Sequence, residues 1–520
     1  MRAAARVFDW YAGRRRRQLE RVSRDAASVQ ERSLLELVTA ARDTEFGLAH
    51  GFSGIRSVAD YQERVPVREY RHFRPLWERA RDGGADITWP GRCRDWVKTS
   101  GTTSGDKIIP VTAEAFQSHR KGGWDALLMA VSHAGAARLL PGPMLFLGGS
   151  TAFRSIGADC RVGDLSGLAV RKLPPGLRAL YSPGPEVAAI RGWEERLCAV
   201  AALAASQDVT LLCGMPSWLV VLFERVARER RATERPIRDL GHCWPHLSVL
   251  IHGGVAYPPY ASVFEEWLGR RLERVEVYPA SEGFVAVQTE ASGGLTLMAD
   301  YGIFYEFVPV EDLASDRPRR HTVADVELHR PYAVVLTTGA GLWSYVLGDT
   351  VRFVARDPLR LVITGRTRHY VNAFGENVIV EEVERALVGA CRRTEAEVVE
   401  FTVAPRYPSP VEPRGAHEWL VEFRVPPHEP EDFGRVLDET LQALNADYRT
   451  KRAGDVGMVA PMVTALPPGT FHRWMREGGK LGDQHKVPRA SNDRAVAEAL
   501  LAVAGDGAAV PLASAEAWPR

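Results

Sequence analysis

The residues best placed to do chemistry are Lys98-Thr99-Ser100-Gly101-Thr102-Thr103-Ser104-Gly105-Asp106-Lys107. From Thr99 to Gly105 the run holds only hydroxyl residues and two glycines. Glycines let backbone N–H groups turn onto a phosphate without Cβ hindrance. Hydroxyls add donors and Lys107 adds a point charge. A Walker P-loop needs GxxxxGK followed by Ser or Thr. Here the second glycine comes one residue early, Asp106 intervenes and Ile108 follows the lysine, so the run lies outside that class. The alternative for this run alone is a Ser/Thr/Gly surface loop.

Four further motifs follow. Tyr278-Pro279-Ala280-Ser281-Glu282-Gly283 comes just after an apolar strand. A carboxylate beside a hydroxyl at a strand end can hold Mg²⁺ near phosphates, although a Ser-Glu pair also caps helices. In Gly341-Leu342-Trp343-Ser344-Tyr345-Val346-Leu347-Gly348-Asp349 the acid is either an acceptor for ribose hydroxyls or a turn aspartate. Gly365-Arg366 pairs with Phe374-Gly375-Glu376-Asn377, and Gln484-His485-Lys486-Val487-Pro488-Arg489 stands near the C-terminus.

Those motifs need a scaffold. The 520 residues predict more than one core. With 66 Lys plus Arg against 65 Asp plus Glu, the formal charge is +1, which gives no basic field for nucleic acid. The cysteines at 93, 160, 198, 213, 243 and 391 form no CxxC pair, so neither a zinc site nor a disulfide framework is indicated, and free thiols in a reducing cytoplasm are expected. The N-terminus has no apolar core followed by a small-residue cleavage site, which predicts a cytosolic protein. The most apolar stretch, residues 209–223, is broken by Gly214 and Pro216 and is too short to span a bilayer. Arg14–Arg17 is expected to be a solvated helix face, and no membrane contact is expected.

Leu34, Val38 and Ala41 predict helix in the first ~45 residues. The runs 247–251, 275–278 and 334–337 suit strands, and 193–205 and 217–230 suit helices. The mixture argues for an α/β body. The pattern resets near residue 365. Beyond it Val380, Val383 and Leu387 share one helix face, Trp419, Val421, Phe423 and Val425 alternate as in a half-buried strand, and Phe433 to Leu444 returns to helical spacing. This predicts a large domain over 1–365 and a smaller α+β domain over 366–520. The Ala-, Gly- and Pro-rich tail after Val503 is expected to be mobile.

In this order the five motifs resemble the adenylate-forming superfamily of acyl-CoA ligases and luciferases. Within it the chain is similar to the plant auxin-responsive-promoter family of acyl acid–amido synthetases, in a bacterial-style version. The closer similarity rests on Thr44-Glu45-Phe46-Gly47, Val65-Pro66-Val67-Arg68-Glu69-Tyr70, Tyr305-Glu306-Phe307-Val308-Pro309, Leu444-Asn445-Ala446-Asp447-Tyr448 and the Gln484 to Arg489 run. It implies a large N-terminal α/β domain that binds ATP and the acyl group, and a small mobile α+β C-terminal domain. It implies adenylation of a carboxylic acid by ATP with Mg²⁺, then transfer to an amine, usually an amino acid. Ser100, Gly101, Thr102, Thr103 and Lys107 would cover the ATP phosphates. Gly253 and Gly254 would wall the adenine. Ser281 would touch the α-phosphate, Glu282 would bind Mg²⁺, Asp349 would hold the ribose and Arg366 would lie near the hinge. Lys486 would reach the reacting carboxylate, with Lys480 its rival because a Gly-Lys pair marks this lysine in other branches.

Three departures stand out: Pro279 replaces a usual glycine, and Ser344 and Val346 stand where arginines usually flank the tyrosine. His252 is the outside candidate for a general base, while His369 and His485 are expected to be hydrogen-bonded or exposed. Trp89, Trp96, Trp124, Trp193 and Trp218 are expected in the core, or one of them in an acyl pocket. Two other functions stay open: an acyl-CoA ligase with a thiol acceptor, and a nucleotide-binding protein without catalysis. The acid, the amine and the oligomeric state are not readable from the sequence.

Overall fold

The computed structural model describes residues 2–99, 107–157, 159–231, 240–255, 257–291, 293–367, 370–409, 414–455, 457–477, 487–505 and 510–511. They form two compact units. The first holds the described residues up to Thr99, Lys107–Gly254 and Glu265–Thr367; the second holds Val255–Phe264 and the described residues beyond 367.

The first unit opens with two helices, α1 (Arg2–Arg24) and α2 (Ala26–Ala40). In α1, Ala5, Ala12 and Leu19 are buried. Arg15 binds Asp125 with its Nε and Nη2 at 2.9 and 2.7 Å and Asp300 with its Nη1 at 2.8 Å. The arginine run is therefore not wholly a solvated face, because one member is clamped while Arg14, Arg16 and Arg17 stay exposed. In α2, Leu34 and Val38 are buried as their spacing requires. Gln30 of α2 donates to Ala299 and Ile303 carbonyls and accepts from the Tyr305 N–H, which occupies polar groups along a sheet edge.

Two sheets follow. The smaller includes the antiparallel pair β1 (Asp95–Thr99) and β2 (Lys107–Pro110), whose register ends at Thr99 opposite Lys107. The larger has eleven strands: β3 (Met144–Leu147), β4 (Tyr181–Ser182), β5 (Leu211–Gly214), β6 (Val249–His252), β7 (Glu273–Ala280), β8 (Gly283–Val287), β9 (Leu295–Leu297), β10 (Ile303–Pro309), β11 (Pro331–Thr338), β12 (Leu342–Arg356) and β13 (Leu359–Arg366). Their order is β10-β11-β12-β13-β9-β8-β7-β6-β5-β3-β4. From β4 to β7 the pairs are parallel, and from β7 to β10 they are antiparallel. Parallel strands need cover on both faces, and all four residues of β6 are buried.

Part of that cover is the helix α3 (Ala113–Ala134), capped by Thr112, whose Oγ1 accepts the Ala115 N–H at 3.1 Å. It lies close on the sheet because Gly122 has no side chain; a Cβ there would sit 2.2 Å from Phe284. Trp96 of β1 is core, but Trp124 of α3 is 37% exposed, contrary to the expectation for the tryptophans.

In the second unit, β14 (Glu397–Arg406), β15 (Ala416–Val425) and β16 (Met462–Leu466) form a sheet with α4 (Val380–Thr394) and α5 (Pro430–Leu444). The strand β15 is buried on both faces over its first eight residues, not on one. Phe423 meets Phe433 of α5 at 5.2 Å, and Leu420 on the opposite face clusters with Phe471 and Leu500. Val510–Pro511 adds an edge strand beside β16, so part of the expected mobile tail is ordered. The segment Val255–Phe264 joins this unit through Tyr260, which is buried and donates to the Ala373 carbonyl at 2.8 Å. No described helix is long and apolar enough to cross a membrane.

Candidate active site

The site is built around the tight turn between β7 and β8, where Ala280 pairs with Gly283 and only Ser281 and Glu282 form the loop. A strand that turns back after two residues pushes both side chains out of the ladder. Glu282 is nonetheless 8% exposed, because Tyr345 of β12 covers it; the phenol donates to its Oε1 at 3.4 Å. On the stem of the same hairpin, Tyr278 donates to Asp349 Oδ2 at 2.6 Å. One strand, β12, thus meets one hairpin at two points.

The geometry of β12 makes this possible. Its register with β11 slips twice, so that Thr337 faces both Trp343 and Ser344, and Val334 faces the stretch between Val346 and Thr350. Bulges of this kind re-aim side chains. Asp349 is therefore neither a turn residue nor a strand end but lies inside a bulged strand, opposite Arg366 of β13. The side chain of Arg366 lies outside the described residues.

Gly253 and Gly254 follow β6 directly. A Cβ on Gly253 would sit 2.4 Å from the Val277 carbonyl, so only glycine fits against β7 there. Gly254 adopts φ +86°, which also favours glycine. Gly253 thus lies against β7 on either side of Tyr278, the residue that donates to Asp349.

Lys107 begins β2 with its ammonium 5.7 Å from the Tyr70 ring centre. Tyr70 packs on Trp77 and Trp77 on Tyr345, at 5.7 and 6.4 Å, which links Lys107 to the cover of Glu282. Ser100, Gly101, Thr102 and Thr103 lie outside the described residues, as do Lys480, Lys486, His369 and His485.

One histidine was not foreseen. His119 of α3 is buried and faces the Ser281 main chain; burial pulls its pKa down to about 4. It is a neutral imidazole behind the turn. Its only sequence signal was its place on the helix that carries Gly122. His252 is also buried, and burial together with the charge of Arg274 pulls its pKa to about 3. Such a base is poorly matched to proton abstraction near neutrality.

A carboxylate such as that of Glu282 is a hard oxygen donor of the kind Mg²⁺ takes. Among the described residues no group of three His, Cys, Asp or Glu could hold a metal. Mg²⁺ in nucleotide sites is held by one or two carboxylates plus substrate phosphates and water, so a single buried carboxylate at a turn fits that mode.

The comparisons with known proteins agree with this fold. Three descriptions of one family match in order: "GH3 family N-terminal domain" over residues 15–147, "GH3 family central domain" over 296–366 and "GH3 family C-terminal domain" over 381–495, together more than half the chain. Indole-3-acetic acid-amido synthetase GH3.8 of Oryza sativa subsp. indica is 24% identical, covering 91% of this chain and 89% of that protein. Indole-3-acetic acid-amido synthetase GH3.3 of Arabidopsis thaliana is 22% identical, covering 93% and 92%. Among solved structures, GH3.15 acyl acid amido synthetase superposes with a TM-score of 0.60 at 17% identity, covering 93% of this chain and 95% of that one. A 2-hydroxyisobutyryl-CoA ligase with its acyl-AMP and CoA gives 0.50 at 16%, covering 92% and 91%. The fold is that of adenylate-forming enzymes.

Proposed function

The chain belongs to the GH3 family, and from that premise we propose that it is an ATP-dependent acyl acid–amido synthetase. A carboxylate attacks the α-phosphorus of ATP and expels pyrophosphate. An amine, in our reading an amino acid, then attacks the acyl carbon of the mixed anhydride; the amide forms, the amine loses a proton and AMP leaves. Two relatives named as indole-3-acetic acid-amido synthetases span about nine-tenths of the chain, which supports both halves of the reaction.

The observation that carries the reading is the double contact of β12 with the β7–β8 hairpin. Tyr278 donates to Asp349 and Tyr345 to Glu282, so the two carboxylates that we assign to the ribose and to Mg²⁺ are joined through one strand and one hairpin. In this assignment Asp349 accepts from the ribose hydroxyls and Ser281 donates to the α-phosphate. The 100–103 run and Lys107 cover the phosphates, Gly253 and Gly254 lie along the adenine, and Arg366 is near the hinge. Glu282 would hold Mg²⁺, which neutralises charge on the phosphate oxygens when bound. Lys486, carried by the domain over 366–520, approaches the carboxylate and α-phosphate. Fixed cations and donors stabilise the developing charge more in the transition state than in the ground state. Withdrawal of Lys486 by hinge motion would then admit the amine.

A second reading, an acyl-CoA ligase, is favoured by the likeness to the 2-hydroxyisobutyryl-CoA ligase fold. It differs only in the acceptor. ATP–pyrophosphate exchange against aryl, indolyl and aliphatic acids tests adenylation. Exchange that needs one acid class and collapses in Lys486→Ala and Asp349→Ala is expected. Amide formation with amino acids, set against thioester formation with CoA, then separates the readings. Tight ATP binding with no exchange for any acid would sink both, and undiminished exchange in Lys486→Ala would move the assignment to Lys480.

A further inference from the structure

Ser344 is a non-glycine residue at φ +43°, in the bulge opposite Thr337. A side chain is held in that region only where its surroundings over-determine it. Here they do. The Ser344 N–H donates to Thr337 Oγ1 at 2.9 Å and its carbonyl accepts from the Arg68 N–H at 2.9 Å. Its hydroxyl donates to Glu306 Oε2 at 2.6 Å and lies 3.2 Å from the Tyr61 hydroxyl, which itself bonds Thr337 Oγ1 at 2.7 Å.

Glu306 is fully buried and would be costly there without partners. Arg320 lies 3.3 Å from one of its oxygens, and Gln62 donates to that oxygen at 3.0 Å. Arg320 also donates to the Val65 carbonyl at 2.8 Å, to the Gln62 carbonyl and to the Ser344 hydroxyl at 3.2 Å. The guanidinium and the carboxylate therefore grip Ser344 from both sides. The next residue is Tyr345, wholly buried against Phe73, with its phenol on Glu282.

We infer that the Glu306–Arg320 pair is a positioning device: by clasping the Ser344 bulge it aims the Tyr345 hydroxyl at Glu282 and so sets the orientation in which that carboxylate receives Mg²⁺. The inference rests on the assignment of Glu282 made above. Groups that orient a metal's own ligands commonly change metal affinity by 10–100-fold when removed. The contacts of Glu306 and Arg320 described above end on Ser344, Gln62 and Val65, and Ser344 is followed directly by Tyr345, whose phenol meets Glu282.

The test is calorimetric ATP binding as a function of free Mg²⁺, with no turnover needed. Tyr345→Phe, Ser344→Gly and Glu306→Gln are each expected to raise the half-saturating Mg²⁺ by about ten-fold. Tyr345→Phe should add nothing in a Glu282→Gln background. Ser344→Gly accepts the positive φ and keeps the test open should Glu306→Gln fail to fold. A purely structural cluster would lower the unfolding midpoint and leave the Mg²⁺ dependence alone. Wild-type Mg²⁺ dependence in Tyr345→Phe would overturn the inference. So would a shift in Tyr345→Phe with none in the folded clasp variants, or additivity with Glu282→Gln. Absence of pyrophosphate exchange in the wild type would count against the proposed reaction instead, and the binding measurement would still decide the role of the clasp.

Discussion

Tyr278 and Asp349 stand 71 residues apart in sequence and share a hydrogen bond of 2.6 Å, phenol to carboxylate. The bond fixes the plane of the carboxylate. Removing the donor keeps the charge and loosens its aim. Tyr278→Phe should therefore weaken ATP binding by about 1.5–3 kcal/mol, the worth of a hydrogen bond to a charged group, or roughly ten-fold or more. Calorimetric ATP titration reads it, with the unfolding midpoint as the control for the fold.

At Gly253 the constraint is steric. Alanine would place its Cβ 2.4 Å from the Val277 carbonyl, a backbone atom that cannot swing away. Gly253→Ala should cost about 1–3 kcal/mol in urea unfolding. It should also raise the KM for ATP, because either β6 or β7 must move.

The N-terminal clamp gives a larger effect. Asp125 has 3% of its side chain exposed and Arg15 beside it. Arg15→Ala leaves that carboxylate with the Tyr301 hydroxyl at 2.7 Å but no cation, and should cost about 3–5 kcal/mol. Arg15→Met combined with Asp125→Leu should recover most of the loss, since what destabilises is the stranded charge. Equilibrium unfolding of the single and double variants checks it.

Stability should fall on the acid side. His119 is held at about 4, below the ordinary 6.5. Between those values the unfolded chain binds a proton that the folded one refuses, so stability is full above 6.5 and is lost as the pH falls through 4. From pH 7.5 to pH 5 the loss should be on the order of 2 kcal/mol from this residue. His252, at about 3, adds in the same direction. Urea unfolding at the two pH values should show a shallower dependence in His119→Gln than in the wild type.

What the sequence disclosed and what it hid follow from range. Glu282 and Gly253 were legible because a glycine or an acid at the end of an apolar run already implies a turn or a close approach. Asp349 was expected at a turn or at the end of an apolar run and not inside a strand, because the bulges that hold it arise from pairing with β11. Ser344 looked like a missing arginine. In the structure it is the knot of a polar cluster drawn from Tyr61, Glu306, Arg320 and Thr337, residues that no local period connects. The alternation from Trp419 to Val425 suggested one wet face; α5, next in sequence, covers one side of β15, but the cover of the other comes from Phe471 and Leu500, far along the chain, so burial there is set by tertiary structure.

The clamp on α1 also sets a timetable. Arg15 leaves the ribosome 110 positions ahead of Asp125 and 285 ahead of Asp300. At 5–20 residues per second, the usual pace of synthesis, the guanidinium waits roughly 15 to 60 s for its second carboxylate. Throughout that interval Ala5, Ala12 and Leu19 have no sheet-backed helix to cover them. The helix α1 is made well before the residues that dock it, so its apolar face must be shielded until Asp300 has been synthesised.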